Sequence, residues 1–236
     1  MELKLKKISS LEKVRTYEGN YSSAPDEVKL LGGEHYAYQL AVTTAGNNAK
    51  VSISIDSDIQ ECLKVYTVTD VPMDRITHDS VTDDNYITND TGLMPDLLIP
   101  IDKTNNSLVI SRNVLGKEEY LFKTLWIDIN LPKDLSAGNH YITVNFEAEN
   151  FYGAPENASA SDTTYIQFVP VNLPDNEINY TQWFYNDCIA SAHNVDIYSE
   201  NHWGLIEKYI KLASDLEINT ILTPVFTPPL DTQIGH

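Results

Sequence analysis

Apolar residues recur at every second position through the first two-thirds of this chain, and the pattern stops near residue 181. In AYQLAV, Tyr38, Leu40 and Val42 share one face, and in VSISID, Val51, Ile53 and Ile55 do the same. LWIDINL sets Leu125, Ile127, Ile129 and Leu131 against Asp128 and Asn130. YITVNFEAE sets Ile142, Val144, Phe146 and Ala148 against Tyr141, Thr143, Asn145 and Glu147. A period of two fits half-buried antiparallel strands and is incompatible with a helix at the same positions. TTYIQFVPV adds a closing strand. PKDLSAGN, with Pro132, Gly138 and Asn139, is a turn or short loop, so the strands on either side of it are expected to be neighbours. Several short strands joined by polar loops predict a two-sheet sandwich over residues 1–172.

Past the linker VNLPDNEINY the rule changes. TQWFYNDCIA is apolar without alternation and reads as a buried strand. Trp203, Ile206, Tyr209, Ile210, Ala213 and Leu216 then fall on one helical stripe, with Glu207, Lys208, Lys211 and Ser214 opposite. Ser199 fits the N-cap of this helix and Glu200 its first turn. Glu217 is placed unfavourably at the helix C-terminus, and Asn219 is expected to supply the left-handed cap. INTILTPVF reads as a second buried strand. Strand–helix–strand with unalternating strands predicts a parallel βαβ unit over residues 173–236. One such unit leaves sheet edges and a face bare. The expectation is therefore the truncated beginning of a (β/α)8 TIM-type barrel, which runs to about 250 residues when complete, with the remainder following His236.

The formal net charge of −18 repels phosphate backbones and anionic surfaces, so neither nucleic acid nor a membrane is an expected partner. No apolar run is long enough to span a bilayer, and MELKLKKISSLEKV lacks the apolar block of a secretory signal. Cys62 and Cys188 form no spacing motif. Reduced thiols in a cytoplasmic protein are the simple reading, which removes the meaning of acceptor patterns such as those at Asn89 and Asn157. The acidic loop of residues 78–92 carries Asp83, Asp84 and Asp90 but neither the spacing nor the distal glutamate of a calcium loop, so no metal is expected. NFYGAPENASASD reads as a surface loop, and GGEH as a turn before a strand. No nucleophile elbow, phosphate loop or dinucleotide fingerprint is present, and no cofactor is expected. His193 and His202 read as lone surface or helix-start histidines.

TQWFYNDCIA, YSENHWGLIEKYI and ILTPVFTPPLDTQIG resemble the opening of the catalytic barrel in bacterial proteins similar to glycoside hydrolase family 123. GGEHYAYQLAV, GLMPDLLIP and LWIDINLPKDLSAGNHYITVNF resemble their N-terminal β-sandwich. The resemblance implies a sandwich followed by a barrel, a carbohydrate substrate, and retaining β-N-acetylgalactosaminidase chemistry. In that chemistry the substrate's own 2-acetamido oxygen attacks C1. An adjacent Asp–Glu pair orients the acetamido group and protonates the leaving oxygen, unlike the usual scheme of two enzymic carboxylates. Two positions depart from the family: Tyr185 stands where a histidine is common, and Glu217 where a glycine is common.

Barrel chemistry sits at the C-terminal ends of strands. Here those ends present Tyr185, Asn186 and Asp187, then Phe226, Thr227 and Asp231, with no Asp–Glu pair. No catalytic residue is therefore assigned within the chain, the pair is placed beyond residue 236, and the 236-residue fragment is expected to be inactive. Tyr185, Asp187, Phe226 and Asp231 are the expected substrate-binding residues. Asp187 either accepts sugar hydroxyls or caps the turn after its strand, and Asp231 either contacts sugar or holds its own loop. Trp183, one strand repeat before Tyr185, is expected to fill the interior. The competing reading is a non-catalytic carbohydrate-binding or structural sandwich module. The sequence sets no oligomeric state.

Overall fold

A computed structural model describes residues 2–15, 20–44, 48–74, 91–102, 104–110, 122–150, 157–174 and 177–223. The chain divides into two compact units, Met1–Leu173 and Pro174–His236.

Among the described residues the first unit has ten strands. In chain order they are β1 (Leu3–Ser9), β2 (Glu27–Gly32), β3 (His35–Thr44), β4 (Ala49–Ser57), β5 (Leu63–Met73), β6 (Gly92–Pro100), β7 (Ser107–Ile110), β8 (Lys123–Asn130), β9 (Gly138–Asn150) and β10 (Ala158–Asn172). They form two five-stranded sheets, ordered β1-β3-β8-β5-β6 and β2-β10-β9-β4-β7. Alternation decides the inner faces. Leu40, Val42, Val51, Leu125, Ile127, Ile129, Ile142, Val144, Phe146 and Ile166 are all buried in one core. Each such side chain contributes about 1.5–3 kcal/mol when removed from water. At the edge of the stack Lys7 of β1 reaches the other sheet, pairing with Asp162 of β10 at 2.9 Å and with Asp26 at 2.9 Å.

Three expectations are corrected. First, β8 and β9, flanking PKDLSAGN, are not paired. β8 lies between β3 and β5, and β9 between β10 and β4. The connection crosses from one sheet to the other, and both strands still turn their alternate apolar residues to the same core. Sheets stack about 10 Å apart, a span that seven linking residues cover easily. Second, ASASD is not loop: Ala158 already begins β10, which pairs with β9 from Ala158↔Ala148 onward. Third, one pairing is parallel: β2 runs alongside β10 from Glu27↔Tyr165. These strands are far apart in sequence, so no hairpin imposes the antiparallel direction. GGEH is the turn between β2 and β3, with Gly33 at φ +79°, a left-handed value that favours glycine.

A feature without a sequence signal covers the outer face of β3. Gln39, Ala41 and Thr43 are buried there. Ile8, Val14, Ala41 and Phe122 form a second small core, with Tyr21 packed against it.

The second unit holds β11 (Thr181–Trp183), α1 (Asn186–His193), α2 (Glu200–Asp215) and β12 (Thr220–Leu222). β11 and β12 are parallel, registered Thr181↔Thr220 to Trp183↔Leu222. Two helices, rather than one, separate them. TQWFYNDCIA contributes only three residues of strand before α1 begins, because Asn186 and Asp187 favour a helix start. Ser199 caps α2, its Oγ accepting the His202 N–H at 3.2 Å. The left-handed residue after α2 is Glu217 (φ +63°), not Asn219. Asn219 instead brackets the two strands, accepting the Tyr180 N–H at 2.9 Å and donating to the Ile178 carbonyl at 2.8 Å. No described helix is long and apolar enough to cross a membrane.

Candidate functional site

The C-terminal ends of the parallel strands β11 and β12 lie side by side, and the Phe184 N–H extends their ladder to the Leu222 carbonyl at 2.9 Å. The chain leaves β11 through Tyr185, which is the N-cap residue of α1 but has no side-chain cap bond. Trp183 and Tyr185 stack, with ring centroids 6.0 Å apart and planes inclined by 16°. Trp183, expected to fill a complete barrel's interior, is 61% exposed in this chain. Side chains two apart on a strand share a face, and here that face is open.

Asp187 sits in the first turn of α1, where the helix dipole favours a negative charge. Its Oδ1 accepts the neighbouring Cys188 N–H at 3.1 Å. The neighbouring Asn186 Oδ1 is buried without a hydrogen-bond partner, and so is Thr223 Oγ1, one residue past β12. Buried polar atoms are ordinarily paired, and neither of these oxygens is. Elsewhere, a hollow of about 400 Å³ lies on the sandwich beside Tyr165 and Gln167.

His202 holds the site together, and reading it as a lone helix-start histidine missed this. Its ring is buried. Nδ1 accepts the Tyr198 N–H at 2.8 Å, and Nε2 donates to the Asn186 carbonyl at 2.7 Å. This fixes the Nε2-protonated tautomer and ties the first turn of α2 to the first residue of α1. The signal was available: His202 is four residues before Ile206, on the buried stripe of α2. A second link joins His193 Nε2 to the Tyr209 hydroxyl at 3.0 Å. Both cysteines are free thiols, Cys62 buried and Cys188 exposed.

Among the expected binding residues, the structure brings Tyr185 and Asp187 to one strand end. Phe226 and Asp231 lie outside the described residues, as do Asp83, Asp84 and Asp90. Among the described residues no three His, Cys, Asp or Glu side chains converge as a metal site.

Residues 183–236 match the model of the glycoside hydrolase 123 catalytic domain. In structure, 89% of the chain superposes on a family 123 glycoside hydrolase from Clostridium perfringens, described for glycolipid glycan hydrolysis, with a TM-score of 0.60 and 14% identity. The chain spans 36% of that enzyme's length. A PapD-like domain of human CEP192 matches over 63% of this chain and 84% of its own, with 10% identity and a TM-score of 0.34. The sporulation control protein Spo0M of Bacillus subtilis matches over 70% of this chain and 49% of its own, with 12% identity and a TM-score of 0.28. Neither of these two superpositions is close enough to support an inference. No curated protein matches the sequence. The chain is thus similar to glycoside hydrolase family 123 proteins, in the sequence of its second unit and in its fold.

Proposed function

From this likeness to glycoside hydrolase family 123 we propose that the chain is part of a glycosidase that acts on N-acetylhexosaminides in the manner of a β-N-acetylgalactosaminidase. On this reading residues 173–236 open a (β/α)8 barrel, and residues 1–172 are its accessory sandwich. The observation that carries it is the parallel β11–β12 pair with helices between, the matched stretch running from the last residue of β11 through both helices and β12. The sugar's 2-acetamido oxygen attacks C1 as the glycosidic bond breaks, so configuration is retained over two displacements. An aspartate polarises the acetamido group, and the adjacent glutamate delivers a proton to the leaving oxygen. We place that pair in chain following His236.

The residues present would bind rather than react. Trp183 and Tyr185 offer an exposed aromatic pair to the apolar face of a sugar ring. Asp187 accepts sugar hydroxyls with its remaining lone pairs. Phe226 and Asp231 are the other two residues assigned to sugar binding on this reading. The test is turnover of an aryl N-acetyl-β-galactosaminide. The 236-residue chain is expected to be inactive, and a chain extended through the residues its gene encodes after His236 to be active. In the extended chain Asp187→Ala should raise KM about tenfold, the loss of one hydrogen bond to a charged group. Turnover by the 236-residue chain would refute the placement of the acid. An extended chain without an Asp–Glu pair or without turnover would refute the glycosidase.

A further inference from the structure

Residues 10–14, which follow β1, lie over the outer face of the first sheet, where strand alternation alone assigns solvent. Bonds to β3 and β6 fix this segment. Gln39 of β3 donates from Nε2 to the Ser9 and Glu12 carbonyls at 2.9 and 2.8 Å. Lys13 crosses to β6, donating to the Pro95 carbonyl at 3.1 Å and to the Asp96 carboxylate at 2.8 Å. Beneath residues 10–14 lies a hollow of about 210 Å³. Its floor is Trp126 of β8, paired across the sheet with Gln39 on one side and Tyr66 on the other, and extended by Val68 and Leu98. Its rim carries Ser10, Glu12, Lys13 and Asp96.

We propose that this hollow binds one neutral pyranose ring, its apolar C–H face on the Trp126 indole and its hydroxyls on the rim. The floor asks for an apolar face and the rim for hydroxyls. The carboxylates accept, the lysine donates, and the serine does either, which matches a ring of groups that are both donors and acceptors. The volume suits a single ring. It equals about seven waters at roughly 30 Å³ each, and falls below the ~300 Å³ at which pockets for larger ligands begin. Charge selects a neutral sugar. Lys13 is already matched by Asp96, and Glu12 already accepts the Ser22 N–H at 2.9 Å, so no spare cation awaits an acidic group. The chain's net charge of −18 repels anions further.

This site belongs to the sandwich alone and needs none of the strand-end residues of the second unit. The test titrates the 236-residue chain with galactose, glucose and N-acetylgalactosamine, following ligand resonances by saturation-transfer NMR. A saturable component with Kd on the order of 1 mM is expected for at least one sugar. Trp126→Ala should weaken it tenfold or more. Asp96→Ala changes a largely exposed side chain that leaves the fold intact, and should weaken this component about threefold, the equivalent of one modest hydrogen bond. Tyr165→Ala, at an exposed position of β10, should leave it unchanged. Absence of saturable binding for all three sugars would overturn the proposal. So would an affinity unaffected by Trp126→Ala, or equal binding of cyclohexanol, which offers the apolar face with a single hydroxyl. None of these outcomes bears on hydrolysis by the extended chain, so the two proposals fail separately.

Discussion

The sandwich and the C-terminal unit are held together by different means. In the sandwich, two five-stranded sheets close on a common core, and Leu40, Leu125, Ile142 and Phe146 are wholly buried. In the C-terminal unit, the sheet is two strands of three residues. Trp203, Leu212, Leu216 and Leu222 are each about half exposed or more. What fixes that unit is a small set of directed polar bonds. Ser199 caps α2, His202 joins the two helix starts, and Asn219 brackets the strands. The contrast teaches that an αβ segment can keep its local geometry through caps and tethers while burying only Ile189, Ala190 and Ile206 among its described apolar residues. A sandwich of the same chain relies on burial, which is non-directional and scales with area.

The largest expected effect tests that contrast directly. Phe146→Ala should cost about 3–5 kcal/mol in urea unfolding of the sandwich, through lost transfer energy plus a cavity. Leu216→Ala, in the open stripe, should change stability by less than about 0.5 kcal/mol. Comparable losses for the two would mean that the stripe is covered after all. Next, His202→Ala leaves the Tyr198 N–H without its partner and removes the side-chain bond to the Asn186 carbonyl, at about 1–3 kcal/mol for the group left buried. Hydrogen exchange should accelerate in α1 and α2 while amides of β8 and β9 keep their protection. Uniform acceleration would show that the tether serves the whole molecule.

A smaller effect has the opposite sign. Glu217 follows α2 in the left-handed conformation, with the Ile218 N–H returning to the Ala213 carbonyl at 3.0 Å. Glu217→Gly should therefore stabilise the helix end by about 0.5–1 kcal/mol, read as slower exchange in its last turn. The glycine common at this position in the resembling family has the same backbone reason.

The smallest effect lies in the sandwich. Burial pushes the Asp58 carboxyl up, but the Tyr141 N–H and the hydrogen bond and charge of His140 outweigh it and hold the carboxyl below its usual range. A depressed carboxylate contributes stability above its unfolded pKa and loses it as pH falls through the lower folded value. The window therefore lies below about pH 4. Because Asp58 is 39% exposed, solvent screening keeps the term to about 0.5 kcal/mol. Asp58→Asn should flatten the acid limb of the stability curve by that amount, and an unchanged limb would remove the assignment.

Much of this was legible in the residues, and the part that was not has a common cause. Alternation identified the inner faces of β3, β4, β8 and β9, because a pleated backbone sends neighbouring side chains to opposite sides whatever the strand pairs with. Ser199 was readable as a cap, since a cap bond spans three residues. The same local evidence could not say that β8 and β9 belong to different sheets, because crossing between sheets leaves their alternation unchanged. At the candidate site, Tyr185 and Asp187 could be placed at a strand end from the order of elements. The orphaned oxygens of Asn186 and Thr223, and the burial of His202, could not, because each depends on what another element places beside it.

What the sequence by itself determined is therefore the strand character and inward side of β3, β4, β8 and β9, the helix α2, and the switch from sandwich to parallel αβ near residue 181. These are properties of the backbone repeat and of bonds a few residues long. Only the tertiary structure decided which sheet each strand joins, that β2 runs parallel to β10, that α1 follows a strand of only three residues, and that residues 10–14 share a hollow with Trp126. Those outcomes follow from pairing and packing between segments distant along the chain, where the free energy depends on both partners and neither carries a signature of the other.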